Sequence, residues 1–428
     1  MPLTSEVNSQ GHLVIGGCDT VKLAAEFGTP LYLFDEFSLR RRCAEFKAEF
    51  GQRYPDTEVI YACKAFINTT LAQIFKEEGL GLDVVSAGEL HIAQSGGFPL
   101  DRVYFHGNNK SPAELRLALT GRVGRIVVDN LHELKLLDEI GGEERAKPDI
   151  LLRLSPGVDP HTHQYIATGV IDSKFGFPML SAEEAVAQAV SAPHLNLIGL
   201  HFHIGSLIHE VEPYEQATKR VLEFASEMNS RYGFTLTELD IGGGFAIQYT
   251  RDTPAPPLAI YAEAIAATVK RCCRELGLAL PRLIIEPGRA IVGQAGVALY
   301  TVGAVKDIPG IRRYVSVDGG MGDNIRPALY GARYEALVAG KMNEKDTQEV
   351  TISGKFCESG DILIRDISLP PLVAGDIIAV PSCGAYCLPM ASNYNAALKP
   401  AVVMVKEGNA RLIRRRETLT DLTRWDLI

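Results

Sequence analysis

Short apolar segments alternate with helical segments in a regular rhythm that begins near Glu58 and ends near Pro287. The apolar segments have the length and composition of buried strands. They predict eight strands, with the bounds Val59–Lys64, Gly81–Ser86, Arg102–Gly107, Arg125–Asn130, Asp149–Leu154, Leu197–His203, Glu238–Gly243 and Arg282–Pro287. Eight strand–helix units over about 240 residues match the usual size of an (α/β)8 TIM-like barrel.

The segments between these strands carry helix signals. Ser111 is followed by Pro112 and Glu114, the pattern of an N-cap residue with proline at the first helical position. No Gly-x-Gly-x-x-Gly motif follows the first strand, which disfavours a dinucleotide-binding fold.

The rhythm changes after about residue 294, where strand-like segments are joined by turn-rich sequence with little helix between them. These predicted strands are Gly296–Val305, Arg313–Asp318, Glu349–Lys355, Asp376–Val380 and Ala401–Val405. The first 36 residues also lie outside the barrel rhythm, so we expect them to pair with this part. The sequence thus predicts a barrel domain over 37–294 and a mostly β domain built from 1–36 and 295–428.

Composition narrows the class of protein. The formal net charge is −9 and no basic run is present, which argues against a nucleic-acid partner. The sequence contains no run of about 18 apolar residues, so no membrane span is predicted. The first residues do not form a secretory signal. The eight cysteines do not form Cys-x-x-Cys pairs, which disfavours a zinc site and predicts reduced thiols in a cytoplasmic enzyme.

Polar residues lie at or near the carboxyl ends of all eight predicted strands, the face on which barrel enzymes build their active sites. They are Lys64, Asp83, His106, Asp129, Arg153, His203, Asp240 and Glu286. A lysine at the end of a buried strand should be paired, neutral or covalently used. Lys64 is therefore either a salt-bridged residue of the barrel rim or a Schiff-base lysine that holds pyridoxal phosphate.

Two motifs at the ends of the last two strands are typical of a phosphate site. Gly242-Gly243-Gly244 lets backbone N–H groups approach an anion closely, although such a run alone is more often a flexible turn. Glu286-Pro287-Gly288-Arg289 follows the eighth strand, and barrel phosphate sites commonly use these two loops. Glu286 could keep a pyridine nitrogen protonated, or could simply pair with Arg289. His201 and His203 share one strand face, but no third ligand is evident, so no metal site is predicted.

Together these residues resemble the barrel-type, alanine-racemase-like (fold type III) pyridoxal-phosphate decarboxylases. The resemblance extends over roughly Pro30 to Pro400 and is strongest with the members that act on diaminopimelate. Its motifs in this sequence are Tyr61–Lys64, His161–Gly169, Asp172–Gly176, His201–Ser206, Gly242–Gly244, Glu286–Arg289, Arg326–Tyr330, Cys357–Asp361 and Gly384–Tyr386.

The resemblance implies a role for each matched residue. It implies Lys64 and Cys357 as catalytic residues, Cys357 being the proton donor. It implies cofactor contacts from Lys64, Asp83, His203, Ser206, Gly242, Gly243, Gly244, Glu286, Pro287, Gly288, Arg289 and Tyr386. It implies substrate contacts from Arg289, Arg326, Tyr330, Glu358 and Tyr386. Two arginines suit a dicarboxylic amino acid, because guanidinium binds carboxylate with two hydrogen bonds.

The implied activity is decarboxylation of meso-2,6-diaminopimelate to L-lysine, in a homodimer whose Cys357 segment reaches the partner's site. Three alternatives stay open. A decarboxylase of the same fold could act on ornithine, arginine, carboxynorspermidine or a carrier-bound amino acid. An amino-acid racemase would need two acid–base groups on opposite faces, and the Cys357-Glu358-Ser359 motif favours decarboxylation instead. A non-enzymatic carrier of pyridoxal phosphate would not need a proton donor.

Overall fold

The computed structural model describes residues 1–159 and 173–427. The chain forms two compact units. The barrel unit comprises Cys43–Ala246 and Ala255–Ala290, and the β unit comprises Met1–Arg42, Ile247–Pro254 and Ile291–Ile428. The family-like segment His161–Gly169, and Asp172 of the next motif, lie outside the described residues.

Eight parallel strands close into a barrel in the barrel unit, which confirms the predicted TIM-like fold. In chain order they are Thr57–Ala62, Gly81–Val84, Val103–Phe105, Arg125–Val128, Asp149–Ser155, Asn196–Phe202, Glu238–Asp240 and Arg282–Ile285. The last strand pairs with the first, so the ring is complete. Most strands end one to three residues before the predicted bound. Five of the eight polar residues, Lys64, His106, Asp129, His203 and Glu286, therefore lie just after their strands, where side chains of a shared site are usually found. Asp83, Arg153 and Asp240 lie in the last residues of theirs.

Helices follow the strands. Within the barrel unit they are Thr69–Glu77, Ala87–Ser95, Pro112–Thr120, Leu131–Glu144, Met179–Ser191, Glu212–Tyr232 and Leu258–Leu276. Glu36–Arg53, before the first strand, and the short Arg289–Val292, after the last, each include residues of both units. Several begin at a side chain that accepts a hydrogen bond from a free N–H of the first turn, as Asn68, Ser86 and Asn130 do. Ser111 and Glu114 form a full capping box, as their spacing predicts.

The barrel interior is filled with side chains. Ile60, Tyr104, Val127, Leu151 and Ile284 come from five different strands and form one buried cluster. Such layers make a TIM barrel a packed core rather than a channel, which leaves the carboxyl ends of the strands as the place for a ligand.

The β unit contains one large sheet and a small one. The strand order of the large sheet is Ile362–Leu369, Gln348–Ser353, Arg312–Val317, Gly296–Ile308, Leu31–Asp35, Ala401–Lys406 and Asn409–Arg414. Off this path, Ile377–Val380 pairs with both Gly296–Ile308 and Leu337–Val338. The small sheet contains Glu6–Val7, Leu13–Ile15 and Cys18–Asp19, and the helices of the unit are Thr20–Phe27, Arg326–Tyr330 and Leu419–Thr423.

The amino-terminal segment joins the sheet of the carboxyl-terminal part, as predicted. Leu31–Asp35 runs antiparallel to Gly296–Ile308 and parallel to Ala401–Lys406. All five of its side chains are buried, which explains its continuous apolar sequence. Along the main path of the large sheet, two strands were not predicted, Ile362–Leu369 and Asn409–Arg414, because charged residues interrupt both. Among the described helices, none is both long enough and apolar enough to cross a lipid bilayer.

Candidate active site

Lys64 lies in a short 3-10 turn, Cys63–Ala65, directly after the first barrel strand. Its side chain is 40% exposed, and its Nζ atom is 3.8 Å from Oδ2 of the buried Asp83. That distance permits an ion pair but not a hydrogen bond. The amine is therefore near a carboxylate and is still accessible to a ligand. A lysine with a purely structural role would not need to be accessible.

Asp83 is almost completely buried at the end of the second strand. Neither of its carboxylate oxygens accepts a hydrogen bond from any described residue. Burial raises the pKa of Asp83, although nearby His106 and Lys64 oppose the shift. A buried carboxyl group without hydrogen bonds is costly, so this site is incomplete without a further polar group.

Two histidines surround the Glu286 carboxylate. Oε1 of Glu286 is 2.9 Å from Nε2 of His106, and Oε2 is 3.5 Å from Nε2 of His201. Burial by itself would raise the pKa of Glu286, but the two imidazoles outweigh it and hold that pKa well below its usual value. Burial lowers the pKa of His201 to about 3, so this imidazole is neutral at pH 7 and acts as a polar neighbour rather than a cation.

Asp240 lies beside Glu286 and has the opposite protonation. Burial, and next the charge of Glu286, raise the pKa of Asp240 well above its usual value. One Asp240 oxygen, Oδ1, accepts the N–H of Gly242 at 2.9 Å. Two adjacent buried carboxyl groups cannot both ionise cheaply, so Glu286 carries the charge and Asp240 keeps its proton.

His203 follows the sixth strand, and its ring lines the cavity beside Lys64. Its Nδ1 accepts the N–H of Gly243 at 3.2 Å, so the neutral ring carries its proton on Nε2. Burial, and next the Lys64 cation, lower the pKa of His203 well below its usual value. The ring is thus a neutral, fixed plane that is able to stack on an aromatic ligand.

The three consecutive glycines are required by close packing. Gly242 has φ 71°, and a Cβ there would lie 2.7 Å from Nδ1 of His203. A Cβ at Gly243 would collide with the carbonyl oxygen of Glu286. Gly244 has φ 103°, and a Cβ would lie 2.7 Å from the carbonyl oxygen of Gly205. No other residue would allow this loop to pass so near the sixth and eighth strand ends.

Arg289 and Ser206 meet near the same loops, where Nη2 of Arg289 donates to Oγ of Ser206 at 3.0 Å. Pro287 and Gly288 are buried between Glu286 and Arg289, and the Pro287 carbonyl oxygen accepts the N–H of Ala62 at 3.4 Å. The barrel unit therefore brings together every cofactor-binding residue that the sequence predicts, except Tyr386, which belongs to the β unit.

A cavity of about 620 Å³ opens among these side chains, lined by Lys64, His106, Arg153, His201, His203 and Glu286 with neighbouring backbone. This volume suits a small-molecule ligand. The residues fit pyridoxal phosphate: an accessible amine for its aldehyde, a flat imidazole for its ring, an ionised carboxylate for its pyridine nitrogen and glycine loops for its phosphate. The bare oxygens of Asp83 agree with a site that is completed by a polar ligand.

The predicted substrate residues Arg326 and Tyr330 lie at the two ends of one short helix in the β unit. Arg326 is 5% exposed, whereas Tyr330 is 63% exposed. Tyr386, in the same unit, adopts φ 63°, an unfavourable conformation for a tyrosine and one often found at functional positions.

The backbone of Cys357 is held while its side chain stays exposed. Its N–H donates to Oδ1 of Asn395 at 2.9 Å, and its carbonyl oxygen accepts the hydroxyl of Tyr394 at 3.3 Å. The buried Asp361 carboxylate accepts the N–H of Phe356 at 2.9 Å and so fixes the start of the same loop. The other seven cysteines are buried, and all eight are free thiols.

Glu358 follows Cys357 and is exposed. Its Oε1 accepts the N–H of Gly360 at 3.2 Å, a local bond within the turn. Cys357 and Glu358 thus lie on an anchored, solvent-facing loop of the β unit, which is compatible with the roles that the sequence predicts for them.

Some participants were not assigned a role from the sequence. His106, His201 and Asp240 form a buried group with Glu286, in which one donor atom from each lies within 4.8 Å of the others. Such a group could surround a metal ion, but here both imidazoles pair with the Glu286 carboxylate. In the sequence these residues were noticeable only as polar residues at or near the end of a strand. That position does not predict which neighbouring side chain each one contacts. Tyr249 and Tyr334, which contact Arg326, had no signal at all.

Comparison with known proteins supports the same chemistry. Residues 37–293 match the family described as "Pyridoxal-dependent decarboxylase, pyridoxal binding domain". The chain is 47% identical to a diaminopimelate decarboxylase of Bacillus subtilis (strain 168), over 99% of this chain and 97% of that protein.

Solved structures give the same result. The chain resembles diaminopimelate decarboxylase from M. jannaschii in complex with L-lysine, with a TM-score of 0.94, 33% identity, and coverage of 100% of this chain and 99% of that one. It also resembles the Helicobacter pylori enzyme complexed with L-lysine, with a TM-score of 0.86 and 32% identity, over 95% and 98% of the two chains.

Proposed function

Because the chain belongs to the diaminopimelate decarboxylase family of pyridoxal-dependent decarboxylases, we propose that it converts meso-2,6-diaminopimelate to L-lysine and CO2. One observation carries the proposal: the accessible amine of Lys64 and the ionised carboxylate of Glu286 line the same cavity. Few functions other than pyridoxal chemistry require that pair in that place.

When bound, pyridoxal phosphate supplies an electron sink for the electron pair that the departing CO2 leaves behind. Lys64 would hold the cofactor covalently through its Nζ amine. Glu286 keeps a proton on the pyridine nitrogen, because its own low pKa makes it a hydrogen-bond acceptor at neutral pH. His203 supports one face of the ring, and the glycine loops with Ser206 receive the phosphate group.

The predicted substrate residues recognise the substrate, and Cys357 returns a proton. Arg289, Arg326 and Tyr330 bind the carboxylate that is retained, Glu358 binds the distant ammonium group, and Tyr386 contacts both cofactor and substrate. Cys357 donates a proton to the carbon that has lost CO2. The racemase and carrier alternatives do not explain an exposed thiol on a loop whose backbone is fixed at Cys357.

We further propose a homodimer in which Cys357 and Glu358 of one protomer serve the site of the other. An exposed loop is a common way to carry a side chain into a neighbouring subunit. We also propose a cytoplasmic location, because eight free cysteines suit a reducing compartment.

The test is CO2 release from a panel of amino acids by the holoenzyme. The panel contains meso-diaminopimelate, lysine, ornithine, arginine and carboxynorspermidine. We expect turnover of diaminopimelate, with L-lysine formed in equal amount to CO2. Faster turnover of another substrate would contradict the substrate assignment and leave the fold and the cofactor unchanged.

A further inference from the structure

The Arg326 guanidinium is buried, and within the described part of the chain it has no acidic partner. The residue is 5% exposed, and no carboxylate of the described residues lies within ion-pair distance of it, whereas Arg40, Arg125 and Arg231 each have one. A buried guanidinium without a counterion is costly, so such a group implies an anion that arrives from outside.

Two tyrosines hold one end of that guanidinium. Nη1 of Arg326 donates to the hydroxyl of Tyr249 at 2.9 Å and to the hydroxyl of Tyr334 at 2.5 Å. The guanidinium carbon is also 5.1 Å and 5.7 Å from the centres of the two rings, within range of cation–π attraction. The phenols contribute hydrogen bonds and ring electrons, but no negative charge.

The two rings also fix one another. Tyr249 and Tyr334 pack edge to face, with centroids 5.4 Å apart and planes at 90°. Tyr334 is 5% exposed, and its hydroxyl is 3.6 Å from Sγ of Cys387, itself buried. The phenol oxygens therefore have little freedom to move with the arginine.

This arrangement decides which edge of the guanidinium is available. An Nη1 group has two hydrogens, and the two phenols accept both of them. No described residue accepts a hydrogen bond from Nε or Nη2, which are the two donors of the other edge. That edge presents parallel N–H groups at the spacing of a carboxylate and is the usual site of two-pronged carboxylate binding.

We propose that Tyr249 and Tyr334 are positioning residues, which hold Arg326 with its Nε–Nη2 edge open for the carboxylate that the substrate retains. The inference deepens the proposed function and rests on it. It implies that ligands bearing this carboxylate, such as L-lysine, depend on the two phenols, whereas a diamine of the same length without a carboxylate does not.

The experiment compares the Tyr249→Phe and Tyr334→Phe holoenzymes with wild type. We measure kcat and KM for meso-diaminopimelate, and the dissociation constants of L-lysine and 1,5-diaminopentane from the absorbance of the bound cofactor. Each variant should raise KM and the lysine constant by about 10-fold, the usual effect of losing one hydrogen bond to a charged group. The diamine constant and kcat should change by less than about twofold, since neither depends on this contact.

Tyr54→Phe is the matched control, because Tyr54 is also buried and donates to a backbone carbonyl, that of Pro281, in the barrel unit. Tyr54→Phe should leave KM for diaminopimelate and the dissociation constants of L-lysine and 1,5-diaminopentane unchanged relative to wild type. Equal weakening of lysine and diamine binding in the Tyr249 and Tyr334 variants, or no weakening, would overturn the proposal. If the wild-type enzyme released no CO2 from diaminopimelate, the proposed function would fail, while the lysine-to-diamine ratio would still test the two tyrosines. If either tyrosine variant fails to fold, the other one tests the proposal by the same comparison of L-lysine and diamine binding.

Discussion

The carboxyl groups of Asp240 and Glu286 lie within 4.8 Å of each other and are held in opposite protonation states. They end neighbouring barrel strands, Glu238–Asp240 and Arg282–Ile285. Asp240 stays neutral and Glu286 stays ionised, because the two imidazoles pair with Glu286, at 2.9 and 3.5 Å. The pair thus presents a single negative charge at the position proposed for the pyridine nitrogen.

This difference predicts unequal effects of two isosteric substitutions. Glu286→Gln removes the charge that keeps the cofactor ring protonated and should lower kcat by about 10²-fold or more, the scale of a lost proton-handling group. Asp240→Asn replaces a neutral carboxyl group with a neutral amide that can still accept the Gly242 N–H. It should change kcat by less than about threefold. Equal losses in the two variants would show that Asp240 is ionised in the working enzyme.

Lys64 should be the site of covalent attachment. Borohydride reduction of the holoenzyme should abolish its visible absorption and leave a cofactor adduct on the Lys64 peptide. Lys110 is the internal control, because its Nζ is buried and donates to the Gly107 and Val127 carbonyl oxygens and to Glu133. An adduct at any lysine other than Lys64 would defeat the proposed site. Lys64→Ala should lose activity by orders of magnitude.

Cys357 tests the proton donor and the dimer together. Cys357→Ala should fold and retain the cofactor, yet lower turnover by about 10²–10⁴-fold, the usual contribution of a general acid. Mixing it with inactive Lys64→Ala should restore about a quarter of wild-type activity, because half of the dimers are mixed and each has one complete site. If subunits exchange and no activity returns, both residues serve the same protomer.

Glu89 predicts a pH-dependent change in stability. Burial raises the pKa of Glu89 to about 7, although the Val85 N–H opposes the shift. The folded protein therefore keeps this proton from the ordinary value of 4.5 up to about 7, whereas the unfolded chain has lost it. Stability then falls as pH rises through this window. The melting temperature of Glu89→Gln, relative to wild type, should increase between pH 5 and pH 8.

Glu114 is the control with the opposite sign. The Ser111 N–H that it accepts in the capping box lowers the pKa of Glu114 below 4.5. Its stabilisation is therefore present above that pH and is lost as the pH falls. Glu114→Gln should lower the melting temperature at pH 7 and have a smaller effect near pH 4. If the melting-temperature difference from wild type does not change with pH for either variant, neither carboxyl group changes its pKa on folding.

The order of the strands and helices follows from local sequence patterns. Apolar segments of strand length repeat with helical segments between them, and the caps at Ser111 and Asn130 act over three residues, so this information is local. The residues proposed to bind the cofactor were predicted for the same reason. Lys64, Asp83, His203 and Glu286 each lie at or just after the carboxyl end of a strand, and in a parallel barrel all these ends meet on one face.

Contacts between distant side chains arise only when the chain is folded. That His106 and His201 surround Glu286, and that Tyr249 and Tyr334 hold Arg326, depends on residues 8 to 180 positions apart in the chain. No periodic pattern encodes such contacts. The protonation states follow from them, since burial and neighbouring charge, rather than residue type, make Asp240 neutral and Glu286 ionised.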